Sequence, residues 1–162
     1  MVRTHDDLNK NNILIRTWPD EFNELISLVD FECTCCGPRG RDVGVFFEGL
    51  CIADDGSGRC LAYPSEQWRR IFIGEYLMQA RREGAELDEE NDNVENLLFE
   101  SEFYSIILSF FFLGFLFHQR EDSYLLSDLK VGRGFLKLQT EMANRYLPAK
   151  KAFLEKYGHR LE

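Results

Sequence analysis

The chain has 162 residues, of which 44% are hydrophobic and 14% aromatic, and it carries a formal net charge of −9. This composition excludes an intrinsically disordered protein, and the length favours one globular domain over 1–162. The negative charge argues against general binding to nucleic acid or to an anionic membrane surface, and it favours a basic protein as partner.

The amino-terminal residues 1–12 are polar and charged and lack the apolar stretch of a signal peptide. We therefore expect a loose tail and a cytoplasmic protein. The number of cysteines, five, is odd and fits reduced thiols better than a disulfide framework.

The first regular elements are predicted directly after this tail. Residues 12–16 are expected to form a short strand or an extended lead-in. Thr17 as N-cap and Pro19 in the first turn then predict a helix over about 18–30, whose apolar residues recur on one face.

Residues 31–64 interrupt the helical pattern and contain all five cysteines. Val43 to Phe47 and Leu50 to Ala53 are rich in residues that favour strands, and 60–63 could pair back as a hairpin. We predict a small β-hairpin or an irregular cysteine-rich insert here.

Helices are predicted for most of the remaining chain. Ser65 as N-cap and Gly84 after the last turn bound one helix. An uncharged run from Phe103 to Phe117 predicts a central helix over about 93–118, apolar on all sides and shorter than the ~30 Å core of a bilayer. A short helix near 123–129, a helix over 133–147 and a last helix after Pro148 complete a mainly α fold of about six helices around this phenylalanine-rich helix.

The segment 83–102 contains nine acidic residues and no basic one. A calcium-binding EF-hand loop is excluded, because Asn93 and Phe99 occupy the positions that need glycine and glutamate. The segment is either a solvated acidic face or a surface that binds a basic partner, and the functional prediction uses the second interpretation. The predicted partner-binding residues are Glu86, Asp88, Glu89, Glu90, Asp92 and Glu95.

The cysteines offer a candidate metal site. Cys33 and Cys36 have the spacing with which two thiolates reach one zinc ion, whereas eight residues separate Cys51 from Cys60. A structural zinc, a redox role and incidental thiols all stay open. No other cofactor is predicted.

Sequence motifs of common enzymes are absent. The chain has no phosphate-binding loop, no Gly-x-Ser-x-Gly and no His-Glu-x-x-His, and we assign no catalytic residue. The predicted function is a small acidic binding protein that masks a basic surface, most concretely an immunity protein that inhibits a toxin such as a nuclease. The alternatives are a zinc-stabilised regulatory or adaptor domain and a thiol-dependent enzyme that uses Cys33, Cys35 or Cys36.

Overall fold

The computed structural model describes residues 1–18, 25–53, 57, 59–119 and 129–161, with the backbone alone at 112–119, 129–136 and 139. Four short strands come first: β1 (Val2–Thr4), β2 (Ile13–Ile15), β3 (Ile26–Leu28) and β4 (Cys35–Gly37). Four α-helices follow: α1 (Arg39–Gly49), α2 (Glu66–Arg82), α3 (Val94–Gln119) and α4 (Leu129–Tyr157). Single-turn 3-10 helices occur at Lys10–Asn12, Phe31–Cys33 and Gly158–Arg160. The described part is mainly α, as predicted, but it contains four α-helices where about six were expected.

The strands form two separate antiparallel pairs. β1 pairs with β4, so that Thr4 is opposite Cys35, and β2 pairs with β3, so that Ile13 is opposite Leu28. The segments 5–12 and 29–34 each connect one pair to the other. They therefore lie side by side, and a hydrogen bond of 3.0 Å from Val29 N to Asn12 O joins them.

Two predictions for the first thirty residues are wrong. Residues 1–12 are not a loose tail, because half of them belong to β1 or to the 3-10 helix Lys10–Asn12. The helix over 18–30 is replaced at its described end by β3, since Ile26 pairs with Ile15 across the second sheet. The strand predicted over 12–16 is confirmed by β2. Residues 19–24 lie outside the described part.

Helix α1 occupies the stretch where Val43 to Phe47 were expected to form a strand. Gly40 and Gly44 lie four residues apart on one helix face and let α1 approach α3 closely. A Cβ at Gly40 would lie 2.3 Å from Glu100 Cβ, and one at Gly44 would lie 2.6 Å from the Ser101 carbonyl oxygen. Tertiary packing thus outweighs the strand preference of valine and phenylalanine. Of the predicted hairpin, one antiparallel bridge between Ile52 and Cys60 is present.

The main hydrophobic core lies where α1, α2 and α3 meet. Phe47 is fully buried, and its ring contacts those of Trp68 and Phe72 edge to face at 5.8 and 5.4 Å. The other buried members are Val43, Ile73, Leu77, Leu97 and Leu98. This core fixes α1 on the helices behind it and so gives the strand-bearing segment a rigid base.

Helix α3 contacts α1, α2 and α4, which confirms its central position. Its buried stripe is not made of phenylalanine, because Ser101, Ser105 and Ser109 face inward at four-residue spacing. Phe110 and Phe111 are 61% and 68% exposed, so the prediction that no face of this helix meets water is wrong. Across the described residues, no helix combines the length and apolar character that spanning a membrane requires.

The helix boundaries depend on local signals to different degrees. Ser65 accepts a hydrogen bond from Trp68 N, and Gly84 has φ of +79° after α2, as predicted. Pro148 neither stops α4 nor separates it into two helices, since α4 continues to Tyr157. The short helix expected near 123–129 falls almost wholly outside the described residues.

Candidate active site

Asp7 and Asn12 face each other across the loop between β1 and β2. Asn12 Nδ2 donates hydrogen bonds of 2.9 Å to both the carbonyl oxygen and Oδ2 of Asp7. Asn9 Nδ2 donates to Asp7 Oδ1, also at 2.9 Å. Each carboxylate oxygen of Asp7 therefore accepts one amide proton and keeps a lone pair for a ligand.

His5 connects this loop to the segment that follows β3. Its ring is buried, with Nε2 2.9 Å from the carbonyl oxygen of Val29 and Nδ1 accepting from Asp7 N–H at 3.4 Å. These partners assign the neutral tautomer that carries its proton on Nε2. The imidazole thus sets the position of Val29, and with it the position of the next residue, Asp30.

Asp30 stands beside the Asp7–Asn12 contact in an unusual backbone conformation. Its φ is +68°, and in the described part the other non-glycine residue with positive φ is Asp6, at +67°. Such left-handed conformations are strained and persist only where the surrounding contacts maintain them, and they are found most often at functional sites. The ring of Phe31 lies 4.7 Å from that of His5 and anchors the chain directly after Asp30, whose side chain is exposed.

Asp42, in the first turn of α1, holds the loop by its backbone. Its Oδ2 accepts His5 N–H at 2.8 Å, and its Oδ1 accepts Asp6 N–H at 2.9 Å. A carboxylate that accepts two backbone amides forms a charge-assisted contact, stronger than one between neutral groups. Because α1 is fixed on the core, the clamp transmits that rigidity to Asp7.

Negative charge is concentrated around this site. The Cys33 side chain is exposed, and the pKa of its thiol is raised by local desolvation and by the carboxylates of Glu32, Asp7, Asp30 and Asp6. Oxygen donors of this type suit Mg²⁺, which uses one or two carboxylates together with substrate phosphates and water. Asp30 and Asn12 are the residues that could hold such an ion.

A cavity of about 520 Å³ opens beside Asp7. Its polar side includes Asp7, Asn9 and Lys10. The remaining walls are formed by Asn11, Val45, Glu48, Gly49, Ile52, Ala53, Leu108 and Leu138. The size suits a small organic molecule. A second cavity of about 630 Å³ lies beyond Glu48 among α2, α3 and α4, but Asp7 does not line it, so we place the chemistry in the first cavity.

The acidic residues predicted to bind a partner are partly engaged within the chain itself. Asp92 forms an ion pair with Arg39 at 2.8 Å, and Glu95 forms one with Arg70 at 2.5 Å. Hydrogen bonds from Asn91 and from backbone amides lower the pKa of Asp88. The side chains of Glu86, Glu89 and Glu90 are exposed. Binding of a basic partner here stays a prediction.

The cysteines predicted to bind zinc lie in different environments. Cys33 and Cys36 are exposed, whereas Cys51 is buried and Cys60 half-buried. Burial raises the pKa of Cys51 to about 11, which keeps this thiol protonated at neutral pH. Within the described ranges, no three residues among His, Cys, Asp and Glu are grouped so that they could hold a metal. The zinc site stays a prediction without support from this geometry.

The residues that form this site were missed in the sequence. His5-x-Asp7 followed after four residues by Asn12 has the spacing of the catalytic loop His-x-Asp-x-x-x-x-Asn of protein-kinase-type enzymes, and Asp30-Phe31 matches the start of their Asp-Phe-Gly segment. Glu32 takes the place of the glycine. Both signals were present, but 1–12 was interpreted as a tail.

Comparison with known proteins agrees with this geometry. The choline/ethanolamine kinase family matches residues 1–139. The choline/ethanolamine kinase of Rattus norvegicus is 30% identical over 119 residues, which are 68% of this chain and 30% of the relative. That of Homo sapiens is 30% identical over 118 residues, with the same coverage. The chain thus spans about a third of the length of these curated relatives.

These matches overturn the functional predictions. An immunity protein or toxin inhibitor is contradicted, because the matched family and both relatives are kinases, and neither the adaptor nor the thiol-dependent enzyme fits them. The prediction of no cofactor is wrong as well, since members of this family use ATP and Mg²⁺. The loop His5–Asn12, the neighbouring Asp30 and the extent of the match lead to one conclusion: the chain belongs to the choline/ethanolamine kinase family.

Proposed function

We propose that this chain carries the catalytic segment of an ATP-dependent kinase that phosphorylates the hydroxyl group of a small amino alcohol. The observation that carries the proposal is the contact between Asp7 and Asn12 in a loop that Asp42 clamps by its backbone. The acceptor class follows from the relatives, which are named as kinases of choline and ethanolamine.

Asp7 is the candidate base in this reaction. Its half-buried carboxylate lines the cavity of about 520 Å³, so an acceptor hydroxyl bound there can donate its proton to a free lone pair on either oxygen. In kinases the corresponding aspartate accepts the hydroxyl proton during phosphoryl transfer. Asn9 and Asn12 orient the carboxylate, so little reorganisation is needed when the acceptor binds.

Asp30 and Asn12 are the candidate residues for Mg²⁺. The ion would neutralise part of the charge of the ATP phosphates, which is its role in kinases. Two observations favour this assignment: the Asp30 carboxylate is exposed, and the backbone hydrogen bond from Val29 N to Asn12 O places Asp30 in the chain segment next to Asn12.

The test is phosphoryl transfer from ATP by the purified protein, with ethanolamine, choline and simple amino alcohols as acceptors, at several Mg²⁺ concentrations. We expect phosphorylated product that requires Mg²⁺, and no detectable product from Asp7→Asn. The matched control Asp88→Asn changes an exposed aspartate of the acidic segment and should keep wild-type turnover. Transfer that is unchanged in Asp7→Asn would contradict the assignment of the base.

Three further expectations belong to the proposal. One domain over 1–162 and a basic protein partner at the acidic segment are still predictions from the sequence. A cytoplasmic location is also proposed, supported by five cysteines that form no disulfide.

A further inference from the structure

The side chain of Asp6, the residue directly before the candidate base, is held from three elements at once. Its Oδ1 accepts a hydrogen bond from Thr4 Oγ1 of β1 at 3.1 Å. Its Oδ2 lies 2.6 Å from Arg41 Nη2 of α1 and accepts from Cys35 Sγ of β4 at 3.1 Å. The Asp6 side chain is 10% exposed and that of Arg41 is 37% exposed, so the carboxylate is shielded from water while the guanidinium is partly solvated.

The conformation of Asp6 gives this ion pair its importance. At φ of +67°, a residue with a Cβ is strained and needs its neighbours to keep it there. Asp42 fixes the backbone N–H of Asp6, but the turn that leads to Asp7 also depends on where the Asp6 side chain is anchored. Without that anchor, the peptide between Asp6 and Asp7 can rotate, and the carboxylate of Asp7 leaves its place.

Arg41 is well suited to provide the anchor. It follows Gly40, whose N–H donates to Glu100 Oε2 at 2.9 Å, so its backbone is fixed on α3. Its guanidinium lies 5.9 Å from the centre of the Tyr104 ring on the same helix. Arg41 and Asp42 are consecutive residues in the first turn of α1. Arg41 holds the side chain of Asp6, and Asp42 accepts a hydrogen bond from its backbone N–H.

We infer that Arg41 is a positioning residue that sets the direction of Asp7 through its ion pair with Asp6. The inference rests on the proposed function and adds a residue to it. Arg41 touches neither Asp7 nor the cavity beside it, so its loss should lower turnover rather than substrate binding.

Cys35 reports on the ion pair independently of turnover. Its thiol donates to Asp6 Oδ2, and Arg41 Nη1 lies 3.7 Å from its sulfur. Cys35 is exposed, so its labelling depends on the charges beside the sulfur and not on access. A thiol reagent reacts with the sulfur anion, so loss of the neighbouring guanidinium, with the Asp6 carboxylate left in place, should slow the reaction. The next residue, Cys36, points to the opposite side of β4 and is exposed, so it serves as an internal standard.

The experiment compares Arg41→Met, Arg41→Lys and the control Arg82→Met, which changes an exposed arginine at the end of α2. For Arg41→Met we expect kcat to fall at least tenfold while KM for ATP and for the acceptor changes less than twofold. Maleimide labelling of Cys35 relative to Cys36, read by mass spectrometry, should slow at least fivefold. Arg41→Lys should recover part of both effects, because it restores the charge without the planar fork.

The outcomes distinguish the ion pair from the positioning role and from the proposed function. Unchanged labelling of Cys35 in a folded Arg41→Met protein would overturn the ion pair, and slower labelling with unchanged kcat would overturn the positioning role. If Arg41→Met does not fold, Arg41→Lys decides both questions. A wild-type protein that transfers no phosphoryl group would remove the proposed function and the positioning role with it, while the labelling would still show whether Arg41 holds Asp6.

Discussion

Asn12 Nδ2 lies 2.9 Å from Asp7 Oδ2, and this hydrogen bond joins the two ends of the loop between β1 and β2. The contact brings together two different chemical tasks. In the proposed reaction, Asp7 accepts a proton from a hydroxyl group and Asn12 offers its side-chain oxygen to a cation. A change at either residue should therefore impair both proton transfer and cation binding. Two independent roles would leave one of these functions intact.

Asn12→Ala tests this coupling. The variant loses the two hydrogen bonds to Asp7, which at about 1 kcal/mol each should lower the free energy of unfolding by roughly 1–3 kcal/mol. Turnover should fall by about 10²–10³, because both the base and the cation ligand are disturbed. Steady-state kinetics should also show that more Mg²⁺ is needed for half-maximal rate.

The matched control for Asn12 is Asn91→Ala, which removes an exposed asparagine from the acidic segment. It should leave turnover and the Mg²⁺ requirement unchanged. An Asn12→Ala protein with wild-type turnover would show that the Asp7–Asn12 contact has no part in the reaction.

Cys33 provides a probe of the cation site. Local desolvation and the nearby carboxylates raise the pKa of this exposed thiol, so less thiolate is present near pH 7.5 than for a free cysteine, whose pKa is about 8.5. Labelling by a thiol reagent should therefore be slow and should increase only at higher pH. Added Mg²⁺ compensates the carboxylate charges, lowers this pKa and speeds the labelling at pH 7.5.

This probe is best read in a protein whose exposed neighbours Cys35 and Cys36 are changed to serine. Asp30→Asn should abolish the response to Mg²⁺ while leaving the slow labelling without Mg²⁺ nearly unchanged or slightly faster. Labelling of Cys33 that does not respond to Mg²⁺ would argue against a cation at Asp30.

The contact between α1 and α3 depends on Gly44. A methyl group at this position would lie 2.6 Å from the Ser101 carbonyl oxygen and 3.1 Å from Ser105 N, both of them backbone atoms that cannot move aside. Gly44→Ala should therefore lower the free energy of unfolding by about 1–3 kcal/mol. Because α1 carries Asp42, turnover should fall as well.

Gly74→Ala is the control for this substitution. Gly74 lies within α2 with nothing within 4 Å of the added Cβ, so alanine should stabilise the protein by about 0.5–1 kcal/mol through helix propensity. Chemical denaturation of both variants gives the comparison. A Gly44→Ala protein as stable as the wild type would mean that the two helices can separate without cost.

The sequence predicted correctly those helix features that depend on residues within one turn. Ser65 and Gly84 bound α2 because capping acts within one turn. The uncharged run after Phe103 predicted α3, although it could not reveal that serines rather than phenylalanines face α1. Gly40 and Gly44 on α1 decide this, because they let the backbones of α1 and α3 come so close that no large side chain fits between them.

The active site was harder to predict, because its residues show no periodicity. The strands around it have three residues each, too few for an alternating pattern to appear. Only the spacing from His5 to Asn12 marks the loop, and a polar segment at the amino terminus resembles a tail in composition. The acidic segment drew attention through its charge, although arginines from α1 and α2 engage Asp92 and Glu95.

Glu48 is the buried charge on which the inner face of α1 depends. Its carboxylate is 2% exposed and accepts from Ser105 at 2.8 Å, from Ser109 at 2.9 Å and from Arg145 at 2.5 Å. Glu48→Ala would leave the guanidinium without its counterion, so we expect a loss of about 3–5 kcal/mol in the free energy of unfolding. The exposed pair Lys151–Glu155 is the control, and Glu155→Ala should cost less than about 1 kcal/mol.

The double variant Glu48→Met/Arg145→Met decides why the Glu48 substitution is costly. If the cost comes from an unpaired buried charge, replacing both partners by apolar side chains of similar volume should recover most of the stability lost in Glu48→Ala. If it comes instead from the serine hydroxyls left without an acceptor, the double variant should be no more stable than the single one. We expect recovery, because a serine hydroxyl in a helix can turn to a backbone carbonyl, as Ser101 does toward Leu98.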